Sequence, residues 1–279
     1  MKSTGRKIPL KPRIRRAIAI PSSLFIDDKE PIKTYKVGFL ARIAAIFRIE
    51  EISVFLDGEE RNAYFIKDVL NYVNVPQYLR KRTIPLKRTL RYVGVLPPLR
   101  TPHHPDAYGK GFVCEYREGI VLKRKGDTLL IDAGLEAPIA VKGDKAVGSK
   151  VIIKLSGGEA RITDESKIPY YWGFKVSIVK SLNSLARKYE RYLRIATSFY
   201  GEPIDELKDS IARKSVGKKG VLVAFGSRKG LFEIARNEGV DLFSLFDLVI
   251  NFIPSQGTYT IRTEEALPIS LSILNLIMD

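Results

Sequence analysis

Short apolar strands and helical segments alternate along much of the chain of 279 residues. The sequence predicts, in order, a strand over 14–20, a helix over 34–49, a strand over 51–56, a helix over 61–74, strands over 91–96 and 174–180, and three further strands in the last third. Strands that alternate with helices are typical of α/β folds, so we predict a mostly parallel sheet.

The stretch between Gly109 and Leu155 has a different pattern. It shows no helical period and consists of short β-like runs separated by glycines, which is typical of a small β-barrel of the OB or SH3 type. We interpret its flanks, PPLRTPHHP and SGGEARITDESKIP, as linkers. The sequence therefore predicts a barrel inserted into an interrupted α/β domain, with parts at 1–97, 98–167 and 168–279.

The charge of the chain is strongly positive and unevenly distributed. The 47 Lys and Arg exceed the 31 Asp and Glu by 16. Segments 1–16 and 80–100 each hold seven basic residues and no acidic one, and 208–230 holds seven against Asp209. A single basic segment is ordinary solvated surface about as often as it is a binding site. Three such segments together favour a phosphate-binding surface. A membrane-binding surface has less support.

Other classes of protein are excluded by composition. A single cysteine, Cys114, rules out an internal disulfide framework, and two adjacent histidines, His103 and His104, do not have the spacing of a zinc site. We therefore predict no metal. The sequence contains neither a secretory signal nor an apolar stretch long enough to span a membrane, so we expect a cytoplasmic protein.

Three strand-then-turn units follow one another in the last third, with strands that begin at Leu193, Val221 and Leu248. In open α/β sheets the ligand crevice lies outside the carboxyl ends of the strands, where all three turns would meet. The third turn is the most distinctive. Thr263 can cap the helix that follows it, but capping leaves the polar segment from Ile253 onward unexplained.

The motifs Val223–Ser227, Ile253–Gly257 and Thr260–Ala266 resemble those of SPOUT-class RNA methyltransferases, in particular an archaeal and eukaryotic branch with an OB-like insertion. This resemblance implies an α/β fold with a C-terminal trefoil knot whose loops bind S-adenosylmethionine. It also implies a homodimer, in which the apolar helix 266–277 is a candidate interface element. Burial of that helix in its own core is nearly as plausible.

The resemblance also assigns residues. The cofactor would be bound by Thr197, Ser198, Gly226, Ser227, Gly230, Ile253, Pro254, Gln256, Gly257, Thr260, Ile261 and Ala266. The candidate residues for binding RNA, which we expect to be ribosomal RNA, come instead from the basic segments 1–16 and 80–100: Arg13, Arg15, Arg16, Arg80, Lys81, Arg82, Lys87 and Arg88. Arg42 falls where some SPOUT members carry an arginine near the reacting nucleotide; the alternative is a surface salt bridge with Glu50 or Glu51.

The expected chemistry is methylation of a base nitrogen. Ribose-methylating members carry Asn and Ser near the start of the last helix, where this chain has Arg262–Glu265. A uridine-like N–H must lose its proton, which Glu264 or Glu265 would accept while Arg262 stabilises the resulting anion. Two alternatives remain: a non-catalytic RNA-binding assembly factor and, with less support, a ribose 2′-O-methyltransferase.

Overall fold

The computed structural model describes residues 7–105 and 114–278. The elements in chain order are β1 (Arg15–Pro21), α1 (Ile32–Ile46), β2 (Glu51–Phe55), α2 (Glu60–Asn74), α3 (Gln77–Thr83), β3 (Tyr116–Lys125), β4 (Thr128–Asp132), β5 (Ile139–Lys142), β6 (Lys150–Ser156), β7 (Glu159–Thr163), β8 (Lys175–Val179), α4 (Leu182–Lys188), β9 (Tyr192–Pro203), α5 (Ile204–Ser215), β10 (Gly220–Ala224), α6 (Gly230–Asn237), α7 (Leu242–Leu245), β11 (Leu248–Asn251) and α8 (Thr263–Met278). No helix in these ranges is long and apolar enough to cross a membrane.

The described residues divide into two compact units. The sheet unit contains Pro12–Asn71, Arg88–Pro97 and 174–278. The barrel unit contains 7–11, Tyr72–Lys87 and the described part of Pro98–Gly173. The barrel sequence therefore interrupts the sequence of the sheet unit.

Six parallel strands form the sheet unit, in the order β11-β9-β10-β1-β2-β8. The central strand β1 pairs with β10 on one side and with β2 on the other. Its residues Ala17 to Ile20 are at most 1% exposed. Such a continuous apolar run is typical of a parallel strand that is covered on both faces. The mostly parallel α/β sheet predicted from the alternation of elements is confirmed.

The segment 91–96 differs from its prediction as a strand. It forms a 3₁₀ turn at Val93–Val95. The segment packs on α1 instead of joining the sheet, and Gly38 of α1 makes room for it. A Cβ on Gly38 would lie 2.5 Å from Cδ2 of Leu96. The apolar residues of 91–96 thus cover a helix, which a β-like composition does not reveal. Helices α4 and α5 were not predicted.

The barrel unit contains five antiparallel strands in the order β5-β4-β3-β6-β7. The first half of β3 pairs with β6 and its second half with β4. The two edge strands approach each other, and a Cβ on Gly143, just after β5, would lie 2.8 Å from Cδ1 of Ile162 in β7. The sheet is therefore nearly closed around a core of Val121, Leu129, Ile131, Val141 and Ile153, as the barrel prediction requires.

Both predicted linkers contain packed structure. β7 lies within SGGEARITDESKIP, where Ala160 and Ile162 pack on the barrel core. In PPLRTPHHP, Leu99 is 2% exposed and His103 is 0% exposed. These segments resemble linkers because glycines and prolines, which are typical of loops, flank their few apolar residues. Gly109, where the predicted β-like stretch begins, lies outside the described residues.

Candidate active site

Three segments, called the three loops below, lie together at one edge of the sheet: residues 197–201 within β9 and the loops that follow the neighbouring strands β10 and β11. The pairing of β9 with β11 skips residues 197–201. Thr197 in this segment donates a hydrogen bond from Oγ1 to the carbonyl oxygen of Ala224, the last residue of β10, at 3.1 Å. Asn251 at the end of β11 donates from Nδ2 to the carbonyl oxygen of Phe199 at 3.1 Å. Side chains thus tie the three strand ends together.

The turn between β10 and α6 folds closely on itself at Gly226. A Cβ on Gly226 would lie 2.8 Å from Cα of Gly230 and 2.8 Å from the backbone nitrogen of Leu231. Gly230 has a φ of +75°, which favours glycine. Thr263, the first residue of α8, donates from Oγ1 to the carbonyl oxygen of Gly226 at 2.6 Å. The turn therefore requires its glycines and fixes the start of α8.

Polar side chains order the loop that follows β11. The backbone N–H of Ile253 donates to Oδ1 of Asn251 at 3.0 Å. Nε2 of Gln256 donates to the carbonyl oxygen of Thr258 at 2.8 Å. In contrast, a Cβ placed on Gly257 would have no atom within 4 Å. The loop is internally braced, yet it leaves open space at Gly257.

All residues predicted to bind the cofactor lie on these loops or on α8. They are Thr197 and Ser198 in β9, Gly226, Ser227 and Gly230 in the turn, Ile253, Pro254, Gln256, Gly257, Thr260 and Ile261 in the third loop, and Ala266 in α8. Half-buried Ile253 and Ile261 offer apolar surface, and the glycines let a ligand approach the backbone. This combination fits a flat heteroaromatic group with polar edges, such as the adenine of S-adenosylmethionine.

The two glutamates at the start of α8 have different partners. A carboxylate oxygen of Glu265 accepts a hydrogen bond from the backbone N–H of Arg262 at 2.8 Å. This contact caps the helix in the manner of a capping box. Oε1 of Glu264 instead lies 3.0 Å from Nζ of Lys36 on α1. The side chain of Arg262 is exposed.

Lys36 links α8 to the chain near the start of α1. Its Nζ also donates to Oδ2 of Asp28 at 2.8 Å. Burial lowers the pKa of Lys36, but the hydrogen bonds with Asp28 and Glu264 outweigh it and leave the pKa raised. The arrangement holds a permanent cation beside a carboxylate at the edge of the loop cluster. Arg42 lies half-buried on the same helix as Lys36.

Sequence reasoning missed Lys36 and Asp28. Lys36 is one lysine among many in the sequence, and its contact with Glu264 joins residues from opposite ends of the chain. No local pattern indicates that pairing. Within the ranges that the structure covers, no group of three His, Cys, Asp or Glu side chains could hold a metal ion.

A family model described as "Putative RNA methyltransferase" matches residues 15–274. The chain belongs to this family. An uncharacterized protein of Halobacterium salinarum is 33% identical to it, covering 94% of this chain and 99% of its own length. Two proteins named 28S rRNA (uridine-N(3))-methyltransferase also match. The one from Drosophila melanogaster is 31% identical and the one from Homo sapiens 30%, each over 92% of this chain and over 61% and 77% of their own lengths.

Membership in this RNA methyltransferase family confirms the family predicted from the loop motifs. In an RNA methyltransferase, exposed basic side chains are candidates for contacting RNA phosphates. Six of those predicted to bind RNA have exposed side chains: Arg13, Arg15, Lys81, Arg82, Lys87 and Arg88. Arg82 additionally pairs with Asp132, with 2.9 Å between Nε and Oδ2.

The other two basic residues are engaged inside the protein. Arg16 is 7% exposed and donates from Nη1 to the carbonyl oxygen of Phe47 at 3.0 Å and to Oδ1 of Asn275 at 2.7 Å. Arg80 donates from Nε to the carbonyl oxygen of Val75 at 2.9 Å, just past the end of α2. These guanidinium groups satisfy chain carbonyls, so we leave both out of the RNA surface proposed below.

Proposed function

We propose that this chain methylates N3 of a uridine in ribosomal RNA, with S-adenosylmethionine as methyl donor. The observation that carries the proposal is the identity of about 30% with two proteins named 28S rRNA (uridine-N(3))-methyltransferase, over 92% of this chain. The arrangement at the start of α8 supports it, because a carboxylate and a cation there suit deprotonation of a base.

The cofactor would lie against residues 197–201 of β9 and the loops that follow β10 and β11. Ile253 and Ile261 would pack on the adenine ring, while backbone groups of the turn Gly226–Gly230 and of the third loop read its polar edge. When bound, S-adenosylmethionine supplies an electrophilic methyl group. The open space at Gly257 leaves room for it, and a larger side chain there would fill that room.

The protein's main chemical role would be to accept the proton that N3 of the uridine loses. The lone pair of N3 would form the new bond to the methyl carbon while the bond from that carbon to the sulfonium sulfur breaks and leaves its electron pair on sulfur. The N3 proton must therefore leave as well. Glu264 would accept this proton on its carboxylate. Lys36, 3.0 Å from that carboxylate, and the exposed Arg262 would stabilise the negative charge that develops on the base. Arg42 would hold a phosphate of the reacting nucleotide.

Each unit contributes exposed basic residues to the proposed RNA contacts. The exposed residues Arg13, Arg15, Lys81, Arg82, Lys87 and Arg88 would contact phosphates. The strand order of the barrel, β5-β4-β3-β6-β7 with neighbouring edges, supports an OB-like fold, a fold that binds oligonucleotides in other proteins.

We further propose a trefoil knot in the C-terminal part and a homodimer, as the SPOUT resemblance implies. The placement of β9 between β10 and β11 is compatible with such a knot. For the dimer, α8 offers an apolar face on which Ile269 is 39% and Leu276 85% exposed. These residues are seven apart and therefore lie on one side of the helix.

The experiment is single-turnover methyl transfer to ribosomal RNA from a strain that lacks the gene, followed by mass spectrometry of the nucleosides. The parent protein should form 3-methyluridine. Glu264→Gln and Arg262→Ala should each lower the rate by about 100-fold or more, because both act on charge that develops in the transition state. The rate of Glu264→Gln should recover at high pH, where the base ionises without help.

Glu265→Gln is the matched control, because glutamine can replace glutamate in a capping box. Its rate should stay near that of the parent. Normal rates for both Glu264→Gln and Arg262→Ala would refute the assignment of these two residues. A parent protein that binds cofactor and RNA but transfers no methyl group would favour the assembly-factor alternative.

A further inference from the structure

An open cavity of about 370 Å³ lies in the sheet unit, and its lining residues are separate from the three loops. Its wall consists of Glu30, Phe65, Arg88, Thr89, Arg91 and Tyr92. The volume falls in the range of about 300–1,000 Å³ that is typical of small-ligand sites. Arg88 and Arg91 belong to the basic segment 80–100, in which Arg88 is predicted to bind RNA and Arg91 has no individual assignment. The structure places two of its arginines around one concave site.

Local contacts fix the wall of this cavity. Oγ1 of Thr89 donates to Oδ2 of Asp68 on α2 at 2.8 Å, which anchors the 3₁₀ turn Arg88–Leu90. At the start of α1, Glu30 accepts a hydrogen bond from Oγ1 of Thr34 at 2.7 Å. The cavity is therefore formed by three braced segments, so its arginines and aromatic rings extend from a fixed frame.

The wall combines cations with aromatic rings. The guanidinium of Arg91 lies 5.4 Å from the centroid of the Tyr92 ring. Behind the wall, Nζ of Lys33 lies 4.9 Å from the centroid of the Phe65 ring. Arg88 and Arg91 are exposed, while Phe65 and Tyr92 are half-buried. Proteins that bind single-stranded nucleic acid use this combination, in which bases stack on aromatic rings and phosphates contact arginines.

The cavity also shares an element with the start of α8. Glu30 precedes α1, and Lys33 and Lys36 lie on the first turns of that helix. Lys36 contacts Glu264 at 3.0 Å. Lys33, which contacts the ring of Phe65 in the cavity wall, and Lys36, which contacts Glu264, are three residues apart, about 4.5 Å along the helix. One RNA strand could therefore contact both the cavity and the carboxylate proposed to deprotonate the acceptor.

We propose that this cavity binds one unpaired nucleotide of the RNA strand that carries the acceptor uridine. Its base packs on Phe65 and Tyr92, and its flanking phosphates contact Arg88 and Arg91. The inference rests on the proposed function, since it takes the RNA at the start of α8 as given. It assigns the cavity a positioning role that holds the strand while the acceptor reacts.

The test measures binding of a fluorescein-labelled 12-mer of uridine to the full chain across a salt series. Tyr92→Leu should weaken binding by about tenfold, because it removes one stacking surface, while Tyr92→Phe should bind like the parent. Arg88→Gln and Arg91→Gln should each reduce the slope of log K against log salt by about 0.7. Arg187→Gln, an exposed arginine on α4, is the control and should leave the slope unchanged.

Two results would overturn the proposal. One is RNA binding by Tyr92→Leu and Arg91→Gln that equals binding by the parent, which would leave the cavity to another ligand such as an acidic protein segment. The other is a smaller slope of log K against log salt in the arginine variants while Tyr92→Leu binds RNA like the parent. That result would indicate a charged surface that contacts phosphates but binds no base.

Methyl transfer measured in parallel separates this proposal from the proposed function. In Tyr92→Leu and Arg91→Gln, KM for RNA should rise by about tenfold while the single-turnover rate at saturating RNA stays near that of the parent. If the parent forms 3-methyluridine and the cavity variants match it in KM, only the cavity proposal fails. If the parent forms none, the proposed function fails, and the binding data still decide whether the cavity takes a nucleotide.

Discussion

In the barrel unit, two buried histidines and one glutamate should make the free energy of unfolding depend on pH in opposite directions. His103 and His104 both donate from Nε2 to the carbonyl oxygen of Asn74, each at 3.0 Å. Burial lowers the pKa of His104 to about 4, and it lowers that of His103 well below its ordinary value. Burial raises the pKa of Glu118 in β3 to about 7.

The signs follow from proton uptake by the unfolded chain. As pH falls below 6.5, His104 becomes protonated in the unfolded chain, whereas in the folded protein it stays neutral until about pH 4. Acidification therefore destabilises the fold by about 3 kcal/mol. Glu118 acts in reverse. The folded protein keeps its proton up to about pH 7 while an unfolded Glu118 ionises above 4.5, so acidification restores about 3 kcal/mol. His103 adds to the destabilisation, which gives the parent a net loss of stability in acid.

Single substitutions should uncover each contribution. Between pH 7.5 and pH 4, Glu118→Gln should lose about 3 kcal/mol more than the parent, and His104→Gln about 3 kcal/mol less. The assay is urea unfolding at a series of pH values, followed by fluorescence of Trp172. This residue is the only tryptophan of the chain, and its ring centroid lies 5.6 Å from that of His103, so it reports the barrel unit. Variants whose pH profiles run parallel to the parent profile would refute the burial argument.

Three further outcomes follow from particular contacts. Arg16→Met should reduce the free energy of unfolding by about 2–4 kcal/mol, measured by urea denaturation, with no change in RNA affinity, because it leaves buried hydrogen-bond acceptors without a donor. Gly201→Ala should destabilise by about 1–3 kcal/mol in the same assay, since its Cβ would lie 2.6 Å from the backbone carbon of Ile250. The double variant Ile269→Glu, Leu276→Glu should sediment as a monomer while the parent sediments as a dimer; equal sedimentation would exclude α8 as the interface.

The sheet could be predicted because its strands carry their own signal. The run Ala17–Ile20 is apolar at every position, which happens only where both faces of a strand are covered. The alternation of strands and helices then leaves few topologies. The position of the three loops at one edge follows from parallel pairing alone, so the candidate site could be located before any contact was known.

Features that depend on contacts between distant segments could not be predicted. The segment 91–96 has the composition of a strand, but its apolar side chains cover α1 at Gly38. The guanidinium of Arg16 is one of seven basic groups in a run that reads as surface, yet it bonds to Asn275 near the other end of the chain. In both cases the sequence shows the chemical type of the side chain but not which distant residue it contacts.

The first turn of α8 shows where this limit affects function. Glu264 and Glu265 are adjacent and identical in chemistry, and either could cap a helix or accept a proton. Successive residues of a helix point about 100° apart, so the two side chains cannot serve the same partner. Glu265 turns back to the N–H of Arg262 and is used in the cap, which leaves Glu264 to face Lys36. The helix geometry thus divides one repeated residue between stability and the proposed chemistry, and the comparison of Glu264→Gln with Glu265→Gln tests that division directly.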